Sequence, residues 1–240
     1  MKTLMARVSH YVDINATEFE RLEELPHRVE TRKPGEDIVS IGETIDYIFV
    51  IESGWALRSR ILDDGRRQIL NFMLPGDCFD LMSLVSAKAD HTVSAATEVK
   101  LRRIGTRDFF KEIYKNQQLA TAFWWVAVQE EAILREQIIR VGRRSAVERV
   151  AHMLLELNRR LAMIEGKEKD FIDLPVPQSL LADALGLSVV HVSRTFTKLK
   201  REGMIATTPQ GIEILERQKL KDISDFESAY LHLERLKFEL

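Results

Sequence analysis

The chain contains very little cysteine, and this scarcity excludes several classes of protein. Its 240 residues include one cysteine, Cys78. One thiol cannot form a disulfide within the chain, a cysteine-rich zinc site or a four-cysteine iron–sulfur cluster. We expect Cys78 to be a small buried hydrophobic residue.

Long apolar segments and a strong excess of one charge are also missing. The most notable apolar run, FWWVAV at 123–128, is too short to span a bilayer, and no N-terminal segment has the apolar core of a signal peptide. We therefore expect a cytoplasmic protein without a membrane partner. The 35 basic and 37 acidic residues nearly cancel, so any attraction to nucleic acid has to be local.

Residues 178–205 predict a helix-turn-helix. The turn lies at Gly186, and Ser188 follows it as the N-cap of the second helix. In that helix, apolar residues recur at i, i+4 and i+7 and predict a buried stripe: Val192, Phe196 and Leu199.

Another face of the second helix is basic. Residues 188–201 contain four Lys or Arg side chains and no acidic one. Such a helix suits the major groove of DNA, where its first residues reach base edges and its cationic flank meets phosphates. The alternative is an ordinary helical hairpin with a solvated charged face. Residues 204–215 favour DNA binding, because they predict a small β-hairpin around Pro209-Gln210-Gly211 and so complete a winged helix-turn-helix.

The first part of the chain has the pattern of an all-β domain. Five of its glycines are spaced by 7, 12, 11 and 11 residues: Gly35, Gly42, Gly54, Gly65 and Gly76. Between them lie short β-rich runs such as 47–51, 55–62 and 68–74. Regularly spaced strands with turn signals between them predict a sandwich or barrel, which we expect to end near Arg107.

Residues 108–141 lack glycine and proline and predict a long helix with two apolar faces. A helix of 26 residues from Asn116 would span about 39 Å. One face comprises Leu119, Phe123, Val126, Ile133 and Val141, and the other comprises Trp124, Val128 and Ile138. One face can pack on the β domain, and we expect the other to bind the same helix of another subunit. The alternative is a core helix within one chain, because Glu130, Gln137 and Arg140 interrupt the heptad.

The segments after this helix predict a hinge, a capped helix and a C-terminal helix. Gly142 is the predicted hinge, and Ser145 with Glu148 forms a capping box that starts the next helix. The C-terminal segment predicts an amphipathic helix through Ile223, Phe226, Tyr230, Leu233 and Leu236. We expect it to pack on its own subunit or on the partner rather than to recruit another protein.

The order of these segments resembles the bacterial Crp/Fnr superfamily of transcription regulators. The matching motifs are PGEDIVSIGE (34–43), YIFVIESGWALRSRILDDGRRQIL (47–70), LPGDCF (74–79), SAVERVAHMLLEL (145–157) and LADALGLSVVHVSRTFTKLKREGMI (181–205). The resemblance implies an α+β fold with a double-stranded β-helix (jelly-roll) sensor domain and a C-terminal winged helix-turn-helix. Its predicted regions are the cyclic-nucleotide-binding-like sensor domain at 1–107, the dimerisation helix at 108–141, the DNA-binding domain at 142–221 and the C-terminal helix at 222–240.

The resemblance also implies a function. A homodimer would bind a palindromic site in double-stranded DNA, under the control of a signal at the β domain. RNA polymerase and an unidentified small-molecule effector are further candidate partners.

The family reads DNA with an acidic residue and an arginine on the recognition helix. Arg194 keeps the arginine, whereas Val190 stands where the acid often lies. The resemblance therefore implies a bidentate contact of Arg194 with guanine, with Val190 and His191 setting the neighbouring bases. The candidate contacts to the DNA backbone are Ser193, Thr195, Thr197 and Lys198, and two further candidate DNA-binding residues are Gln178 and Ser188.

Cyclic-nucleotide-binding relatives hold the phosphate with a Gly-Glu pair and, about ten residues later, an Arg-Ser or Arg-Thr pair. The corresponding positions here are Asp80-Leu81 and His91-Thr92, and no arginine lies between Arg67 and Arg102. Asp80, Leu81, His91 and Thr92 are therefore candidates for a degenerate or repurposed effector pocket. We expect no tight binding of cyclic AMP and no iron–sulfur cluster, and the cofactor stays unknown.

Three other functions remain open. The first is an effector-independent DNA-binding regulator with a purely structural β domain, and the second is a cyclic-nucleotide-responsive regulator. The third is a metal-dependent jelly-roll enzyme, which would need clustered histidines and carboxylates. The six histidines are scattered and none is in a His-x-His pair, so we predict that the protein is not an enzyme.

Overall fold

The computed structural model describes residues 1–12, 14, 16–85 and 88–233. The strands of the N-terminal region are β1 (His27–Arg32), β2 (Asp37–Val39), β3 (Tyr47–Ser53), β4 (Ala56–Ile61), β5 (Arg67–Met73), β6 (Cys78–Phe79), β7 (Thr92–Ala95) and β8 (Val99–Gly105). They form two four-stranded sheets, in the orders β1-β8-β3-β6 and β2-β7-β4-β5. The predicted jelly-roll architecture is confirmed, because the glycine-bounded runs form strands of these two sheets.

The five regularly spaced glycines do form turns, since each has a positive φ. Gly54 shows why glycine is required at one of them. Its φ is +79°, and a Cβ at this position would lie 2.0 Å from the carbonyl oxygen of Glu98. Any side chain would therefore both strain the backbone and collide with the neighbouring chain.

The helices are α1 (Lys2–Val8), α2 (Ala16–Glu23), α3 (Thr106–Ile113), α4 (Gln117–Arg143), α5 (Ala146–Glu165), α6 (Gln178–Leu185), α7 (Val189–Arg201) and α8 (Arg217–Ser224). Among the described residues, no helix is both long and apolar enough to cross a membrane. The predicted long helix is confirmed as α4, although the region 108–141 also includes most of the separate helix α3.

The predicted hinge at Gly142 is wrong, because α4 continues through this residue to Arg143. A glycine inside a helix costs only about 1 kcal/mol relative to alanine, so the helix tolerates it. The interruption lies at 144–145 instead. There the predicted capping box is formed, with the Ser145 amide donating to Glu148 Oε2 at 2.9 Å, and α5 begins.

The polar residues that interrupt the heptad of α4 have partners within the chain. Glu130 pairs with Arg58 of β4. Gln137 Nε2 donates to the carbonyl oxygen of Ala184 at 2.6 Å, and Arg140 pairs with Glu156 of α5 at 2.5 Å. The heptad is imperfect because these positions serve contacts inside one subunit.

The two apolar faces of α4 differ in exposure. The first face is buried within the chain at Leu119, Phe123, Val126 and Ile133. On the second face, Trp124 is 73% exposed and Ile138 is 70% exposed. Trp124 and Ile138 therefore lack a cover from the described part of their own chain.

The chain divides into two compact units. The first comprises Met1–Arg58, Phe72–Glu131 and Leu231–Leu240, and the second comprises Ser59–Asn71 and Ala132–Tyr230. The ends of β4 and β5 and the loop that joins them, residues 59–71, are thus grouped with the helix-turn-helix. The boundaries predicted from the sequence, after residues 107, 141 and 221, stay predictions. The two compact units divide the chain at other places, within the β domain and within α4.

The predicted continuous helix over 222–240 is wrong within the described residues. Helix α8 ends at Ser224 because Asp225 adopts a left-handed conformation with φ +51°, and a separate 3-10 turn follows at Ser228–Leu231. Leu236 lies outside the described residues. Phe226 nevertheless packs against His152 of α5 with ring centroids 5.0 Å apart.

The same segment enters a buried polar network around α5. The Tyr230 hydroxyl donates to Glu156 Oε2 at 2.7 Å. His152 Nε2 lies 3.1 Å from Glu136 Oε1. Burial, together with Arg140 and then Arg144, lowers the pKa of His152 to about 2. His152 is therefore neutral in the folded protein at ordinary pH.

Candidate nucleic-acid interface and effector pocket

Helices α6 and α7 form the predicted helix-turn-helix. Gly186 ends α6 with φ +62°, and the Leu187 amide donates to the carbonyl oxygen of Ala182 at 3.0 Å. Ser188 Oγ then accepts from the His191 amide at 3.2 Å and caps the start of α7. The sequence predicts both the turn and the cap correctly because each depends on local residue types.

One face of α7 is buried, as predicted. Val192, Phe196 and Leu199 are each at most 3% exposed. Thr195 is 4% exposed, and its hydroxyl donates to the carbonyl oxygen of His191 at 2.9 Å. The prediction that Thr195 contacts DNA is therefore wrong for this conformation, because its side chain lies on the buried face.

The other face of α7 is exposed and basic. The other predicted DNA-binding residues are exposed on it or beside it: Gln178 at the start of α6, Ser188, Val190, His191, Ser193, Arg194, Thr197 and Lys198. No residue in the described part of the chain forms a hydrogen bond or ion pair with the Arg194 side chain. Lys198 Nζ lies 4.0 Å from Glu202 Oε1, which is a loose contact. Arg194 is therefore available for bidentate contact with a guanine.

The wing is a three-stranded sheet. Its strands are β9 (Phe171–Asp173), β10 (Ile205–Thr207) and β11 (Gly211–Ile214). The predicted hairpin of β10 and β11 is confirmed, with Ile205 opposite Ile214. The sequence analysis missed β9, which pairs with β11 and is too short to show a clear strand period.

The four predicted pocket residues lie in the first compact unit. Asp80 is 2% exposed and His91 is 7% exposed, whereas Leu81 and Thr92 are half-buried. Thr92 Oγ1 accepts from the Ile41 amide at 3.2 Å. His91 Nδ1 makes a hydrogen bond with Asp90 Oδ1 at 2.5 Å. The two ionisable side chains at the predicted positions, Asp80 and His91, are thus buried.

Asp80 is an unusual buried acid. Neither of its carboxylate oxygens has a hydrogen-bond partner among the described residues, and its Oδ1 lies 3.9 Å from His91 Nε2. Burial raises the pKa of Asp80 to about 7, while Arg58 acts in the opposite direction and Glu130, Asp90 and Glu43 add to the rise. Burial lowers the pKa of His91, and Arg58 contributes to the same shift.

The sequence analysis missed Arg58 as a member of this cluster. The absence of an arginine between Arg67 and Arg102 suggested that no guanidinium would lie near the pocket. Arg58 comes from β4, and only the pairing of distant strands brings it close to Asp80 and His91. Its Nη1 is engaged with Glu130, so the cation is already neutralised in part.

A cyclic phosphate does not fit this arrangement. A phosphate at Asp80 would lie against a buried acidic side chain, and the Arg58 guanidinium, which acts on the pKa of Asp80, is paired with Glu130. Among the described residues, no group of three or more His, Cys, Asp or Glu side chains could hold a metal ion.

Two domain families match the chain. A cyclic nucleotide-binding domain matches residues 29–116, and a Crp-like helix-turn-helix domain matches residues 148–223.

Two curated relatives match most of the chain. The transcriptional activatory protein AadR of Rhodopseudomonas palustris is 36% identical over 188 residues, which cover 78% of this chain and 77% of that protein. The nitrogen fixation regulation protein FixK of Bradyrhizobium diazoefficiens is 32% identical over 211 residues, which cover 88% and 87%.

A solved structure shares the fold. The structure of FixK2 from Bradyrhizobium japonicum superposes with a TM-score of 0.76 at 27% identity, and the match covers 85% of this chain and 100% of that one.

Proposed function

Because the chain belongs to the Crp/Fnr superfamily of DNA-binding transcription regulators, we propose that it acts as a homodimer on a palindromic operator. The observation that carries this proposal is the exposed basic face of α7, on which Arg194 has no partner among the described residues. In each half-site, Arg194 contacts a guanine, and Val190 and His191 contact the adjacent bases.

The second apolar face of α4 supports the homodimer. Trp124 and Ile138 lie 14 residues apart, or two heptads, and both are largely exposed. Large apolar side chains on one helix face mark a binding surface. A two-fold axis along α4 would cover this face with its own copy, and two recognition helices would then match a palindrome.

The test of base reading is the substitution Arg194→Ala. We expect its affinity for the operator to fall by about 1–3 kcal/mol, with the loss concentrated at one base position of each half-site. Lys198→Ala is the matched control from the same face, because a phosphate contact weakens binding about equally for all sequences. Affinities for a set of single-base operator variants separate the two patterns. A uniform loss for Arg194→Ala would contradict the assignment.

We propose further that the signal at the β domain is not cyclic AMP. The buried acidic side chain of Asp80 and the pairing of Arg58 with Glu130 support this proposal. Calorimetry with cyclic AMP is expected to show no binding in the micromolar range, and a micromolar Kd would overturn the proposal. Operator affinity measured with and without cell extract distinguishes an effector-controlled protein from one whose β domain is only structural.

The relatives also suggest a direction of regulation. AadR of Rhodopseudomonas palustris is named a transcriptional activatory protein. We therefore propose that the chain activates transcription through contact with RNA polymerase. In a purified transcription assay, adding the protein should raise transcript yield from a promoter that carries the operator. Unchanged or reduced yield would contradict activation.

A further inference from the structure

The carbonyl end of α6 receives hydrogen bonds from three other segments. Ala184 O accepts from Gln137 Nε2 of α4 at 2.6 Å and from Gln68 Nε2 of β5 at 3.3 Å. Leu185 O accepts from Arg149 Nη1 of α5 at 2.8 Å. The last carbonyls of a helix lack partners within the helix, so these donors satisfy groups that would otherwise be unpaired.

An ion pair adds a fourth connection at the same place. Arg67 donates through Nε to Asp183 Oδ2 at 2.9 Å, and its Nη2 lies 2.8 Å from the same oxygen. Both side chains are about one-third exposed. Arg67 and Gln68 belong to residues 59–71, which lie in the same compact unit as the helix-turn-helix.

These contacts fall immediately before the turn that starts the recognition helix. Gly186 follows Leu185, and Ser188 caps α7 two residues later. A shift of the Ala184 and Leu185 carbonyls would therefore move the first turns of α7. Val190 and Arg194, the predicted base-reading residues, lie in those turns.

We propose that Arg67, Gln68, Gln137 and Arg149 form a positioning clamp that holds α7 in register for base recognition. This inference rests on the proposed function, because it assigns the clamp a role in specificity for the operator. None of the four side chains needs to touch DNA. The clamp acts on direct readout, which depends on placing side chains within hydrogen-bond distance of base edges.

The Arg67–Asp183 pair offers the sharpest test, because both side chains are about one-third exposed and the loss of either leaves no fully buried charge. The variants are Arg67→Ala, Asp183→Ala, the double variant and the charge exchange Arg67→Asp with Asp183→Arg. Arg66→Ala is the matched control, because this neighbouring arginine pairs with Asp64 of its own loop and is 77% exposed. For each protein, the Kd is measured for the operator and for a scrambled duplex.

We expect each single alanine variant to lower the ratio of operator affinity to scrambled-duplex affinity by about fivefold, the scale of one partly exposed ion pair. The double variant should lose no more than either single variant, because both remove the same interaction. The charge exchange should restore at least half of the loss, on a logarithmic scale. Arg66→Ala should leave the ratio unchanged.

Asp183→Ala distinguishes the clamp from simple electrostatics. Removal of a negative charge from the helix-turn-helix should tighten binding to any duplex if charge alone matters. The clamp predicts instead that specificity falls. Additive losses in the double variant, no rescue by the charge exchange, or an unchanged ratio in both single variants would overturn the clamp. A wild-type protein with no preference for any sequence would refute the proposed function itself.

Discussion

Replacement of the buried acid by its amide, Asp80→Asn, should stabilise the protein in a pH-dependent way. Asp80 has φ +65°, a backbone conformation that asparagine tolerates well, so the substitution keeps both size and local geometry. The folded protein raises the pKa of Asp80 from 3.8 to about 7. Between these values the folded state holds a proton that the unfolded chain has lost, so the wild-type protein loses stability as pH rises.

The magnitude follows from this interval. Each pH unit between 5 and 7 costs the wild-type protein about 1.4 kcal/mol through Asp80, and the asparagine variant has no such group. The free energy of unfolding of the variant, relative to wild type, should therefore grow by about 3 kcal/mol between pH 5 and pH 8. Any fixed cost of burying the amide cancels in this difference.

Urea denaturation of both proteins at pH 5 and pH 8 measures this difference. Asp90→Asn is the matched control. The Asp90 side chain is 72% exposed and its hydrogen bond with His91 lowers its pKa, so this variant should not become more stable at high pH. If Asp80→Asn shifts stability by the same amount at both pH values, the carboxyl is not held in its protonated form by burial.

Three further predictions concern α4 and the buried network around α5. Trp124→Glu, which places a charge on the exposed face of α4, should weaken self-association at least tenfold in sedimentation equilibrium, and an unchanged association constant would place the dimer contact elsewhere. Tyr230→Phe should lower the free energy of unfolding by about 1–2 kcal/mol, because it removes the hydrogen bond to Glu156, while Tyr114→Phe at an exposed site should have no effect. His152→Gln should flatten the pH dependence of stability below pH 6.5. The folded state keeps His152 neutral, whereas the unfolded chain takes up a proton as the pH falls below 6.5. The free energy of unfolding of wild type should therefore decrease by about 1.4 kcal/mol for each pH unit of this fall. Equal slopes in the two proteins would contradict the neutral histidine.

Much of the fold could be predicted because its signals are local. Turn glycines at regular spacing located strands of the β domain, and the residue types at Gly186 and Ser188 located the helix-turn-helix. The burial of Thr195 was also readable, since it lies three residues after Val192 and one before Phe196 on the apolar stripe. The hydroxyl of Thr195 led to the incorrect prediction that this residue contacts the DNA backbone.

The remaining features depend on distant parts of the chain. Arg58 reaches Asp80 only through strand pairing. Gln137 interrupts the heptad of α4 because it donates a hydrogen bond to Ala184, and this partner lies 47 residues further along the chain. The end of α8 at Ser224 depends on the left-handed backbone conformation of Asp225, which this residue type permits but does not require. The residue pattern within one helix or strand cannot show contacts with distant segments or the backbone conformation at its end.

The most direct test of the central claim is a selection of fragmented genomic DNA by the purified protein at about 0.15 M salt, where phosphate attraction alone is weakened. The same selection with Arg194→Ala is the control. The account predicts that wild type enriches a palindrome with half-sites about one helical turn apart and that the variant loses preference at one base of each half-site. Enrichment of the same sequences by both proteins, or of no sequence by wild type with or without added cell metabolites, would contradict it.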